Sequence, residues 1–196
     1  MADYATLAQV KARLSRNDDR DDVTITALIT SASRSIEHLT NRRFDQTTET
    51  RYFTPTGSWY TEIDDLVSVT SIATDVQGDR TYSETWAATD YELEPANAAG
   101  VVAMPYTTLQ IAPKGTKSFP VLRRGLRIAG VWGWPAVPQP VTEATILMTI
   151  RLFKRTDAPF GIVGSTDLGN LQTLPARDPD ITAMLAPYRR MTVGVI

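Results

Sequence analysis

Few residues in this sequence have the types and spacing that chemistry needs. His38 is the sole histidine in 196 residues, and there is no cysteine. Thiolate nucleophiles, thiolate metal sites and disulfides are therefore excluded, which leaves the compartment open. Histidine-rich metal clusters are excluded as well. His38 stands beside Leu39 inside a helical pattern, where a solvated or packed side chain is the plain reading. No GxSxG, P-loop, HExxH or EF-hand spacing occurs. Asp64 and Asp65 are adjacent carboxylates with Glu62 nearby, a set that would suit acid–base attack on a glycosidic bond. Neighbouring strand residues point to opposite faces, so 64 and 65 do not converge, and a polar turn ahead of Leu66 is expected instead. The sequence predicts no catalytic residue, no metal ligand and no cofactor.

The aromatics Trp59, Tyr60, Trp86, Trp132 and Trp134 would together make a sugar-stacking platform. They equally suit the filling of a β core or of its seam with helices. Core packing is expected for Trp86 and Trp132. For Trp134, flanked by Gly133 and Pro135, core packing and subunit contact both stay open.

The elements that would position these residues follow from periodicity. Thr6 and Gln9 have capping-box spacing, and Leu7, Val10 and Leu14 then recur at helical intervals. A charged connector, residues 16–22, leads to Asp22 as N-cap of a second helix. Ile25, Leu28, Ile29, Ala32, Ile36 and Leu39 form its apolar stripe, and it ends near 41–43. From about residue 45 to 138 the pattern turns β. Candidate strands are Thr48–Phe53, Tyr60–Ile63, Val67–Asp75, Thr81–Trp86, Tyr91–Glu94, Thr108–Ile111 and Arg127–Trp132, with turns at 56–58 and 77–79. Gly130 and Gly133 permit bends, and Pro135, Pro138 and Pro140 make a stiff extended segment. Helix three runs over Val141–Lys154, and its apolar residues cover more than one face. Residues 156–177 lack a regular pattern. Asp178 then caps a last helix with Pro179 at its first position, followed by Ile181, Met184, Leu185 and Tyr188 at helical spacing.

The fold class is thus α+β: a small helical bundle of about four helices from both chain ends, with a mostly antiparallel β unit inserted between helices two and three. The domain reading is 1–44 plus 141–196 as the helical part with a C-terminal arm, and 45–140 as the insertion. At 42% apolar residues the chain can bury a real core. No window approaches eighteen consecutive apolar residues, so no transmembrane helix and no membrane partner are expected. The first residues lack the apolar run of a secretory signal. The net charge of -2 hides an asymmetry: residues 1–98 hold 17 acidic against 9 basic side chains, residues 99–196 hold 5 against 11. Neither half interleaves a basic run with aromatics in the manner of a nucleic-acid reader.

Two pairs of segments carry a family resemblance. "YATLAQVKARL" followed by "ALITSASRSIEHLTNRRF" resembles the opening of tailed-phage head-to-tail connector, or adaptor, proteins. "GVWGWPAVPQPVTEATILMTIRLFKRTDAPFG" and then "RDPDITAMLAPYRR" resembles the second half of the version found in phages of actinobacteria. The resemblance covers roughly 1–44 and 127–190, and the β unit matches loosely through "DYELEP". It implies a structural virion protein, not an enzyme, in the neck between portal and tail and assembled in the host cytoplasm. It further implies a homo-oligomeric ring, usually of twelve copies, beneath the portal. Such a ring extends the DNA channel and docks the next neck or stopper protein. DNA passes without sequence-specific binding, and few Arg or Lys side chains are expected on the lumen wall, since tight phosphate contacts would slow transit.

Within that reading the 130–140 segment is a strut from insertion to bundle. Helix three is too apolar for one buried face, and the acidic and basic halves meet head-to-tail between copies. Expected subunit or partner contacts are Trp134, Ile146, Ile150, Phe153, Phe160, Tyr188, Arg189, Arg190, Val195 and Ile196, with Tyr188, Arg189, Arg190 and the apolar tail on the portal. The competing readings are another neck component, such as a stopper or tail-completion protein, and a carbohydrate-binding module using exposed tryptophans.

Overall fold

The structure, a computed structural model, describes residues 1–100, 103–157, 162–163, 172–173 and 178–190. It is α+β. In chain order the elements are α1 (Leu7–Leu14), α2 (Asp22–Thr40), β1 (Thr47–Phe53), β2 (Tyr60–Thr74), β3 (Glu84–Trp86), β4 (Tyr91–Glu94), β5 (Tyr106–Ile111), β6 (Leu126–Trp132), α3 (Gln139–Asp157), β7 (Ile162–Val163), β8 (Gln172–Thr173) and α4 (Pro179–Leu185). A 3-10 turn, Ala186–Tyr188, continues α4. The chain forms two compact units, residues 1–42 with 137–196 and residues 43–136.

In the helical unit, α1 opens on the expected capping box. Thr6 Oγ1 accepts from the Gln9 amide at 3.3 Å, and Gln9 Oε1 accepts from the Thr6 amide at 2.8 Å. α2 departs from expectation at its start. Asp22 is its first residue, and Asp21 is the N-cap without a side-chain cap bond. Each carboxylate is engaged by a cation of the preceding segment instead: Arg16 pairs with Asp21, and Lys11 with Asp22 at 2.8 Å. The hydrogen bonds from Lys11 to Asp22 and Asp19 raise its pKa above the ordinary lysine value. α2 ends at Thr40 on Asn41, which takes the left-handed conformation at φ 53°.

Of the α2 stripe, Ile25, Ile29, Ala32 and Ile36 are buried and Leu28 is half-buried, whereas Leu39 remains 42% exposed. The core gathers Ala5, Val10, Ile25, Ile29, Ile146 and Phe153, with Leu7, Leu14, Leu28 and Ile150 against it. Four buried hydroxyls of this unit bond backwards along their own helices, Ser33 to the Ile29 carbonyl, Thr40 to Ile36, Thr145 to Val141 and Thr149 to Thr145, at 2.7–2.8 Å. A buried hydroxyl without such a partner would be destabilising.

The β unit is one six-stranded antiparallel sheet of order β1-β6-β2-β5-β4, with β3 on β2. The two expected strands Tyr60–Ile63 and Val67–Asp75 are one strand, β2, which pairs with β5 first and with β6 and β3 later. Register shifts between Glu62 and Ser71 accommodate the change of partner. Gly130 of β6 is required by the shifted strand: a Cβ there would lie 2.3 Å from the Ser68 carbonyl oxygen. Only Glu84–Trp86 of the expected Thr81–Trp86 strand pairs, because Arg80 and Tyr82 take left-handed φ of 67° and 51°. The core is Ile63, Leu66, Ile72, Trp86, Leu109, Phe119, Leu126, Ile128 and Trp132. β7 and β8, a minimal antiparallel pair, fall in the stretch expected to be patternless.

Candidate interaction surfaces

The residues that suggested chemistry are dispersed. Asp64 and Asp65 lie inside β2 rather than in a turn, on opposite faces. Asp64 pairs with Arg51 at 3.0 Å, while Asp65 is 6% exposed and accepts from the Trp134 indole N–H at 3.1 Å. Asp64 and Asp65 are each held as a structural acceptor. Among the described residues no group of three or more His, Cys, Asp or Glu could hold a metal ion, and no helix is long and apolar enough to cross a membrane.

The five-aromatic platform does not form. Trp86, Trp132 and Trp134 are buried, Trp86 stacking on Phe119 at 4.8 Å and Trp132 donating to the Glu49 carbonyl at 2.9 Å. Only Trp59 and Tyr60 present their rings, at 74% and 56% exposure.

Trp134 belongs to a tight knot where the chain enters and leaves the β unit. Gly133 donates to the Asp65 carbonyl at 2.8 Å and sits at φ 111°, a conformation a side chain would strain. A Cβ at this position would stand 2.1 Å from the Asp45 carbonyl oxygen. Gln46 Nε2 donates to the carbonyls of Trp134 and Pro135 at 3.1 and 2.9 Å, and Phe44 packs on the Trp134 ring at 5.3 Å. The entering segment 44–46 and the leaving segment 133–135 are thereby fastened to each other.

The apolar residues of α3 are expected to cover more than one face. Val141, Ala144, Ile146 and Phe153 are buried, and they face different directions around the helix. The chain supplies the cover itself, since α3 packs against α1, α2 and α4. Ile146 and Phe153, expected at a subunit contact, lie in the core of their own helical unit, and Ile150 packs against it. Trp134 is likewise enclosed within its own unit. An apolar surplus on a helix measures how many neighbours it has, and α3 has three within its own chain.

Asp178 caps α4 as expected, accepting from the Asp180 amide at 2.9 Å, and also pairs with Arg151 at 3.4 Å. Tyr188 and Arg190 are half-buried and Arg189 is exposed. The Arg190 amide donates to the Thr40 carbonyl at 2.7 Å, and Asn41 Nδ2 donates to the Arg190 carbonyl at 3.4 Å. A groove of about 420 Å³ lies among α2, α3 and α4, floored by Leu39, Met148, Leu152 and Ile181 and edged by His38, Arg151, Arg155 and Asp178. Phe160, Val195 and Ile196 lie outside the described residues.

Sequence reasoning missed two features of the β unit. The Asp75 carboxylate, 1% exposed, accepts from the amides of Gly78, Asp79 and Arg80 at 2.9–3.1 Å. The signal was present in an Asp placed just ahead of Gln77-Gly78-Asp79. The second feature is a stack of alternating charge and ring. Arg124 lies over Tyr52 at 4.6 Å, Tyr52 packs on Tyr82 at 5.5 Å, and Arg127 lies over Tyr82 at 4.9 Å. No spacing announces it, since its members come from three distant segments.

Residues 4–84 match the family of phage gp6-like head-tail connector proteins. Two solved structures share the fold. One is described as the neck of an empty GTA particle computed with C6 symmetry, with a TM-score of 0.55 and 16% identity. The other is the virion of a native gene transfer agent particle, with a TM-score of 0.52 and 16% identity. Each alignment covers 96% of this chain and 91% of the other. No curated protein matches. The resemblance to head-to-tail connectors is thus shown through residues 4–84, and the fold likeness extends over the later helices.

Proposed function

Proceeding from the match of residues 4–84 to the head-tail connector family, we propose that this chain is a structural neck protein of a phage-type particle: an adaptor that forms a ring beneath the portal, extends the DNA channel and docks the next neck protein. The observation that carries the reading is the family match across α1, α2 and the first strands, joined to a second helical segment that returns after the sheet to build one core. A twelve-copy ring agrees with the sixfold symmetry of the similar neck, since twelve is a multiple of six. Head-to-tail contact between unlike surfaces closes such a ring. The arginines stacked on Tyr52 and Tyr82 are turned to structural use, in keeping with a lumen that passes DNA without gripping it. A stopper or tail-completion protein is the less favoured neck role, because helices from both ends flank the sheet. A carbohydrate-binding module is disfavoured by the burial of three of its five candidate aromatics.

The portal contact is assigned to Tyr188, Arg189 and Arg190 and to the apolar residues 191–196, which follow the last helix. Light scattering and electron microscopy of the protein alone and mixed with its portal test this function. A ring on the portal is expected; a chain that stays monomeric in the mixture overturns the adaptor role. Removal of 191–196 together with Arg189→Ala keeps the Arg190–Thr40 hydrogen bond and is expected to abolish portal binding in a folded protein. Unchanged portal binding would overturn the contact assignment.

A further inference from the structure

The six-stranded sheet ends in two strands that are each paired on one side. Among the described residues β1 pairs with β6 alone and β4 with β5 alone. An edge of this kind takes up a strand of another chain unless it is guarded by Pro, Lys or a bulge. β1 is unguarded: it is seven residues long, TTETRYF, and keeps an unbroken register with β6.

The two edges carry opposite charge on one face. Tyr60, Gln110 and Glu92 stand opposite one another across β2, β5 and β4, and Glu62, Thr108 and Glu94 form the next row. Leu109, between Thr108 and Gln110, is buried in the β core, so both rows lie on the face turned away from it. That face holds three carboxylates and no cation. At the other edge Arg127 stands opposite Tyr52, and its neighbours Leu126 and Ile128 are buried in the same core. Arg127 is thus on the outward face as well, and Arg124 lies over the Tyr52 ring at 4.6 Å. The outward residues of β1 and β6 include no carboxylate.

We propose that β4 of one copy adds to β1 of the next, extending the sheet by main-chain hydrogen bonds and setting Glu92 and Glu94 against the face of Tyr52, Arg124 and Arg127. Four antiparallel pairings separate β1 from β4, so the two strands run in the same direction. A copy that repeats the sheet sideways therefore brings its β4 parallel to β1. With Glu94 beside Tyr52, Glu92 falls beside Thr50. Charge selects this contact over the symmetric ones. β1 on β1 would bring the two arginines against their own counterparts, and β4 on β4 would do the same with the glutamates. The contact between unlike edges repeats from copy to copy and closes a ring. It rests on the connector reading for the presence of several copies, whereas the edges and their charges belong to the single chain.

The chain has no cysteine, so an introduced pair reports without background. In the full chain mixed with its portal, Thr50→Cys with Glu92→Cys is expected to give a ladder of covalent oligomers on mild oxidation, read on a non-reducing gel. Either single variant stops at a dimer. An intrachain disulfide, or no ladder, overturns the proposal. Charge reversal is the second measurement, at two exposed positions. Arg124→Glu and Glu92→Lys are each expected to lose the ring in light scattering, and the two together in one chain to regain it. Rings that form equally in every variant, or a folded double variant that stays monomeric, overturn the pairing. If a reversal variant does not fold, judged by circular dichroism, the cysteine pair decides. A ring on the portal without the ladder removes this contact and leaves the adaptor reading standing, while an unaltered chain that stays monomeric with the portal overturns both.

Discussion

The indole N–H of Trp134 donates to the carboxylate of Asp65 at 3.1 Å, and both side chains are 6% exposed. The residue before Trp134 donates its amide to the Asp65 carbonyl at 2.8 Å, so two successive residues of the departing chain grip one residue of β2. Gln46 then ties the arriving chain to the departing one. Fixing both crossings at the edge of the β unit removes a source of conformational spread.

Trp134→Phe keeps an aromatic ring on Phe44 and removes the donor to a buried carboxylate. A loss of about 1–3 kcal/mol is expected in urea unfolding. Gly133→Ala should also destabilise, with about 1–3 kcal/mol from the backbone alone and more from the clash with the Asp45 carbonyl. Midpoints matching the unaltered protein in both variants would show that the knot does not hold the crossings.

Ile146 distinguishes a core role from a contact between copies. It is 5% exposed among Val10, Ile25 and Ile29 of its own chain. Ile146→Ala is therefore expected to lower stability by about 2–5 kcal/mol at any protein concentration. A variant as stable as the parent when dilute, but impaired in ring formation, would return this residue to the interface.

The capping box is a local device with a local readout. Thr6→Ala removes the side chain that accepts from the Gln9 amide, and a loss of about 1 kcal/mol is expected. Amide exchange in the first turn of α1 should rise with it, and unaltered exchange there would show the cap to be idle.

Residues 6–9, 25–36 and 178–188 announced their helices because caps and apolar periodicity are local signals that packing did not need to override. Leu39 obeyed the period but not the burial, since exposure at a helix end depends on what lies across from it. β2 was read as two strands because its change of partner between Glu62 and Ser71 is a tertiary event with no turn residue to mark it. α3 shows the opposite limit. Its all-round apolarity was legible, but whether one chain or several would cover it depends on α1, α2 and α4 meeting in space. The Trp134–Asp65 contact joins residues 69 apart in sequence, and residue types alone could not choose between it and a contact with a neighbour.

Glu84 supplies a prediction in pH. Partial burial pushes its pKa upward, but the Thr74 hydroxyl at 2.7 Å and the Lys117 ammonium at 3.1 Å outweigh this and hold it below the ordinary glutamate value. A carboxylate whose pKa is lower folded than unfolded adds stability that is complete above the unfolded value, near 4.5, and is lost as pH falls through the folded one. The urea midpoint should therefore drop between pH 7 and pH 3 by more in the unaltered protein than in Glu84→Gln, which has no proton to take up at this position. Other carboxylates contribute to both curves, so the difference between them isolates Glu84. Parallel curves across that window would mean that Lys117 and Thr74 do not favour the charged form. A wider drop in the variant would reverse the sign and contradict the geometry.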